Sequence, residues 1–153
     1  MTVPPKEKPV SAFFPADNAA VIAHLNYLQA IITRLAGNSA QCKSWCLAIV
    51  SALFGFAGAL KNDKIVACAI IPIVIFCLVD AAYLGREKSY RELYNSVVRN
   101  IRAGTYARAN WFDLTPPAGG GHYFKALCSW SIWPIYLGLI AGYALVRMSG
   151  LLT

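Results

Sequence analysis

The sequence predicts an all-α integral membrane protein, in which a transmembrane hairpin and a third transmembrane helix are joined by amphipathic cytoplasmic helices. Three observations predict it. The chain is 58% hydrophobic and only 14% charged, with a mean hydropathy of +0.49, more apolar than soluble domains usually are. The apolar residues are gathered into long runs, each near the ~20 residues that cross a bilayer as a helix. Between the runs, apolar positions recur at helical spacing on otherwise polar segments.

Residues 1–16 hold four prolines and mixed charge, which predicts a loose N-terminal arm. Asp17 or Asn18 then offers an N-cap. Residues 17–103 form the main unit, made of an amphipathic helix, the hairpin and a cytoplasmic helix. From Ala19 to about Ala36, Ile22, Leu25, Leu28, Ile32 and Leu35 recur at helical spacing among polar residues. Gly37-Asn38-Ser39 reads as a break or bend. The first span runs from about Cys42 to Leu60; it is free of charge after Lys43 and ~27 Å long at 1.5 Å per residue. Lys61-Asn62-Asp63-Lys64 is a tight polar turn. The second span, Ile65 to Leu84, carries a kink-forming Pro72 and one charge, Asp80.

Residues 86–103 change character. Tyr90, Leu93, Tyr94, Val97, Val98 and Ile101 form one helical stripe. Glu87–Arg91 and Lys88–Glu92 are spaced as i, i+4 ion pairs on the exposed side. Gly104 ends this helix, and residues 104–126 read as a cytoplasmic linker rich in proline and glycine. Residues 127–153 hold the third span, about Leu127 to Val146, and a short tail; Trp130, Trp133 and Tyr136 stand near its start as interfacial aromatics do.

Charge sets the orientation. Eleven of the fourteen Lys and Arg precede Trp45 or lie between Leu84 and Leu127; the hairpin turn and the tail hold only Lys61, Lys64 and Arg147. The positive-inside rule then puts the N-terminus and the long loop in the cytoplasm, and the hairpin tip and C-terminus outside. The net charge of +7 is explained by this topology and by anionic lipid. No stacking platform or motif accompanies it, so nucleic-acid binding is not expected. The first fifteen residues lack the apolar core of a signal peptide.

Asp80 is the first candidate for function, because a carboxylate within a span is costly. Counting from the centre of the hairpin turn puts it level with Trp45, about one turn from Lys43. The two can form a structural charge pair, or a gate or proton site. Ser51, Gly55 and Ala59 in the first span, and Gly138 and Gly142 in the third, make small-residue faces suited to helix packing, within the chain or between copies. The stripe at 86–103 calls for a partner and is read as a cytoplasmic sensing or assembly surface.

Cys42, Cys46, Cys68, Cys77 and Cys128 form no CxxC pair, and no metal site or cofactor is expected. His24 and His122 lack ligand spacing and read as polar surface residues. The glycines before His122 lack a phosphate-loop ending. With no nucleophile–base constellation, the reading is non-enzymatic.

Two stretches carry a resemblance. The first runs through His24, Leu25, Leu28, Gln29, Ile31, Ile32, Arg34, Leu35, Ala36, Asn38, Ser39, Lys43 and Trp45. The second runs from Leu78-Val79-Asp80-Ala81-Ala82-Tyr83-Leu84 through Arg86, Glu87, Tyr90, Arg91, Leu93 and Tyr94. Both resemble a family of small, uncharacterised bacterial membrane proteins. In shape, a hairpin followed by a cytoplasmic helix, the chain is similar to the two-transmembrane effectors of bacterial anti-phage systems, the SLATT class; its third span departs from theirs. The resemblance implies an oligomeric inner-membrane effector that forms a pore or disrupts the membrane. Its partners would be copies of itself, the lipid bilayer and a trigger, a cytoplasmic sensor protein or a nucleotide signal. The alternative is a structural or accessory membrane protein that scaffolds a larger complex.

Overall fold

Helix formation here is governed by one apolar seam repeated every seven residues. The structure, a computed structural model, describes residues 19–106, 110, 112–117 and 121–148; the arm at 1–16, the caps Asp17 and Asn18, and the tail after Met148 lie outside them. Five helices account for most of the described residues, and no strand occurs among them. They are α1 (Ala19–Leu60), α2 (Asp63–Cys68), α3 (Ile70–Arg102), α4 (Gly121–Leu127) and α5 (Trp133–Met148).

On α1, Val21, Leu28, Leu35 and Cys42 are buried seven apart, and so are Ser39 and Cys46 beside them. A seven-residue repeat keeps one face turned toward a partner helix. That partner is α2–α3, where Val66, Ile73, Asp80 and Glu87 repeat at the same interval. The expected break at Gly37-Asn38-Ser39 does not occur: α1 is continuous for 42 residues. Ser39 lies on the seam, so the repeat passes through the three residues in phase and packing overrides their weak helix propensity.

The hairpin turn is two residues long. Lys61 takes a left-handed backbone, φ 45°, and the amide of Asn62 donates to the Ala57 carbonyl at 3.1 Å, closing α1 as a glycine usually would. The Asn62 side chain then caps α2 by accepting from the Lys64 amide at 3.0 Å. The kink expected at Pro72 appears three residues earlier, as the Ala69 break between α2 and α3. Proline removes the bond to the carbonyl four residues back, here Cys68, and its ring crowds that carbonyl; the Ala69 amide turns instead to Val66, at 3.0 Å.

At the end of α3, Gly104 has φ 70°, and the amides of Gly104 and Thr105 donate to Ile101 and Asn100 at 3.2 and 3.0 Å. This is a Schellman stop. Two boundaries differ from the sequence reading. The end of the 104–126 linker is helical, since α4 begins at Gly121 and packs on α3. Gly85 permits that approach: a side chain there would meet the Tyr123 backbone at 3.3 Å. The helix expected from Leu127 begins only at Trp133, after a turn through Ser129. Pro134 explains the shift, because proline is tolerated in a first helical turn and not in an interior.

Two segments, Ala19–Leu60 and Asp63–Arg102, are long and apolar enough to cross a membrane by length and composition. Their most apolar windows are only 17% and 28% buried, unlike the core helix of a soluble protein. The 16 residues of α5 fall short of a full crossing, reaching ~24 Å. At its far end, Arg147 lies 3.3 Å from Asp63, so the hairpin turn and the end of α5 share one end of the molecule.

Candidate functional site

Asp80 stands on the α3 seam facing α1 and is 0% exposed. Ser39 and Lys43, one turn apart on α1, meet it there. Lys43 Nζ lies 2.7 Å from Asp80 Oδ2 and donates to Asp80 Oδ1 and to Ser39 Oγ, both at 2.9 Å. The Ser39 hydroxyl in turn donates to Asp80 Oδ1. The lysine side chain is 15% exposed and the carboxylate not at all, so both charges leave water together. Such burial costs several kcal/mol per ion unless the pair is close and its lone pairs are filled. Here the places are filled: Oδ2 by the ammonium at 2.7 Å, and Oδ1 by the ammonium and the Ser39 hydroxyl. The Tyr136 hydroxyl of α5, also buried, faces the same carboxylate and has no other partner among the described residues.

The small-residue faces are mostly uncovered within the chain. Ser51, Gly55, Ala59 and Gly138 are exposed, and a side chain at Gly55 or Gly138 would meet nothing within 4 Å. Gly142 differs, since its face looks onto Phe54 of α1 at 3.9 Å. Gly138 also borders a groove of about 520 Å³ between α1 and α5, with Lys43 and Ser44 at its polar side and Leu47, Ile135 and Leu139 along its walls.

The stripe at 86–103 is not a free surface. Val97 is buried, and Tyr90, Leu93, Tyr94 and Ile101 pack with it around Val21, Leu25 and Leu28 of α1; Val98 is half-buried. Its partner is therefore the first half of α1, which an amphipathic face of matching repeat supplies. The ion pairs are also rearranged. Arg91 holds Glu87 at 2.7 Å, but Glu87 is buried and not on the exposed side. Glu92 pairs with His122 at 3.1 Å, while Lys88 donates to the Lys125 carbonyl at 3.3 Å, near the end of α4.

One junction escaped sequence reasoning. His24, read as a surface residue, is 1% exposed. Its Nδ1 lies 2.7 Å from the Tyr106 hydroxyl, and its Nε2 lies 3.1 Å from the Asp113 carbonyl, to which it donates. With Nε2 carrying the proton, Nδ1 accepts from the phenol. Burial pushes the Tyr106 hydroxyl above its ordinary pKa. The exposed Asp113 carboxyl is lowered, mainly because the Thr115 amide donates to it at 3.0 Å. A histidine on the apolar stripe of a helix was the available signal.

Among the described residues, no group of three or more His, Cys, Asp or Glu is placed to hold a metal. The five cysteines are free: Cys42 and Cys46 are buried, Cys77 half-buried, Cys68 and Cys128 exposed. No protein-family model, curated protein or solved structure matches this chain.

Proposed function

We propose that the chain is a bacterial inner-membrane protein that self-associates through its small-residue faces, and that the assembly perturbs or opens the membrane as an anti-phage effector. One observation carries the self-association: Gly55 and Gly138 sit on exposed helix faces with open space where a side chain would be. In lipid there is no hydrophobic gain in joining apolar helices, and close backbone approach at such faces takes its place. Mostly exposed apolar windows in α1 and α2–α3 support the bilayer as solvent. The distribution of Lys and Arg supports an N-terminus in the cytoplasm. The defence role, with its cytoplasmic trigger, comes from the resemblance in hairpin shape; the two quoted stretches resemble a family without an assigned function.

A scaffold is the second reading, and the charge pair favours it. Lys43 and Asp80 neutralise each other and share Ser39, the arrangement of a structural bridge.

Crosslinking in native membranes and mass photometry in gentle detergent test the assembly. Wild type is expected to form oligomers, and Gly55→Ile or Gly138→Ile to weaken them at equal membrane abundance. A monomeric wild type in both settings would remove the pore reading altogether. Oligomers that leave the membrane potential untouched on overexpression would leave the scaffold.

A further inference from the structure

We propose that Tyr136 is the latch that closes α5 over the buried Lys43–Asp80 pair. Tyr136 is the one buried residue of α5, at 3% exposure. Its ring belongs to the apolar cluster of Cys46, Val50, Ile73, Ala81 and Leu84, which lies between the hairpin helices. Its hydroxyl faces the Asp80 carboxylate. Among the described residues, this hydroxyl is buried with no other hydrogen-bond partner, and the Asp80 carboxylate is the acceptor it faces. An orphaned buried donor has lost its water and gained nothing. Donation to the Asp80 carboxylate gives it a charge-assisted hydrogen bond that ties α5 to the pair.

The rest of α5 is loosely held. Its start follows the turn through Ser129, its far end meets Asp63 by an exposed pair, and the groove along Gly138 separates it from α1 beside Lys43. Tyr136 therefore decides whether α5 lies shut on the charged pair or swings away and opens it. The proposal does not depend on the assembly of copies, so its failure and that of the proposed function are separate results.

Cys46, buried in the same cluster at 0% exposure, reports the opening. In a protein with Cys42, Cys68, Cys77 and Cys128 replaced by Ala, the labelling rate of Cys46 by a small uncharged thiol reagent measures how often α5 lifts. Tyr136→Phe keeps the ring and deletes only the hydroxyl. It is expected to raise the rate roughly tenfold, the loss of one hydrogen bond to a charged group. The infrared carboxylate stretch assigned to Asp80 by difference against Asp80→Asn should shift in the same variant. Leu145→Ala, at an exposed position of α5, serves as the control and should label as wild type. A Tyr136→Phe protein that labels at the wild-type rate or more slowly, with the Asp80 band unmoved, would overturn the latch and leave Tyr136 as apolar filling.

Discussion

The two ends of the α1–α3 hairpin are built on one mostly apolar seam but present opposite outer faces. Toward the hairpin turn, Leu47, Phe56, Ile71 and Ile75 point outward, while the inner face carries Ser39, Lys43 and Asp80 at its upper limit. Toward the other end, Gln29, Arg34, Arg91 and Asn95 are exposed, and the inside is Val21, Leu28, Val97 and Tyr106. A helix pair in water hides its apolar stripe; one whose apolar residues face outward is suited to an apolar surrounding. The Lys43–Asp80 level is where one regime passes into the other. Buried long-range polar ties mark both: the Lys43–Asp80 pair at the limit of the first, and the His24 junction in the second.

Breaking these ties tests the comparison, beginning with the largest effect. Lys43→Met strands a buried carboxylate and is expected to destabilise the protein by about 3–5 kcal/mol, read by denaturant unfolding in detergent. Exchanging the charges, Lys43→Asp with Asp80→Lys, should recover part of the loss. A Lys43→Met effect no larger than a surface substitution would dissolve the contrast between the ends. His24→Ala comes next, at about 1–3 kcal/mol for two lost hydrogen bonds, with the Tyr106 hydroxyl left only the longer contact to the Asn110 carbonyl. It should act locally, raising hydrogen exchange in Val21–Leu28 while the Asp80 region keeps its protection.

The His24 junction should also respond to alkali. Tyr106 is held above its ordinary pKa by burial, so its contribution is complete below the unfolded tyrosine value of about 10 and is lost as pH rises toward the folded pKa. Proteolysis near Tyr106 should therefore quicken above about pH 10 in wild type, and Tyr106→Phe should remove that part of the response. The smallest effect belongs to Arg147→Ala, whose pair with Asp63 is open to water at both partners. A change within about 1 kcal/mol is expected in thermal unfolding, shrinking further with salt.

Much of the helical layout was legible because long apolar runs and helical spacing are local properties. Counting from the turn already put Asp80 about one turn from Lys43, and the structure sets them 2.7 Å apart. Gly37-Asn38-Ser39 misled because breaker residues were weighed one by one, although Leu35, Ser39, Cys42 and Cys46 held the seam across them. Pro72 marked a real boundary, set at Ala69 because proline disturbs the carbonyl four residues upstream, whereas the start of α5 was missed because Pro134 was not weighed as a first-turn residue. The His24 junction was not legible: its partners lie 82 and 89 residues away, and no spacing rule connects them. Tyr136 was read as an interfacial aromatic, because nothing local shows that its hydroxyl would turn toward a carboxylate on another helix.

The continuity of α1 through Gly37 has a mechanical consequence. A helix of 42 residues is a rod of ~63 Å, stiff over that length because each turn is bonded to the next. The portion from Ala19 to Lys43 acts as a lever of roughly 37 Å with its fulcrum at the Asp80 contact. A tilt of about 10° at the Ala19 end displaces that end by ~6 Å, with no joint between to absorb it. A push applied where His24 clasps Tyr106 is thus carried along α1 toward Lys43, shared with the α3 face it packs on, and Tyr106 becomes a handle on the buried charges.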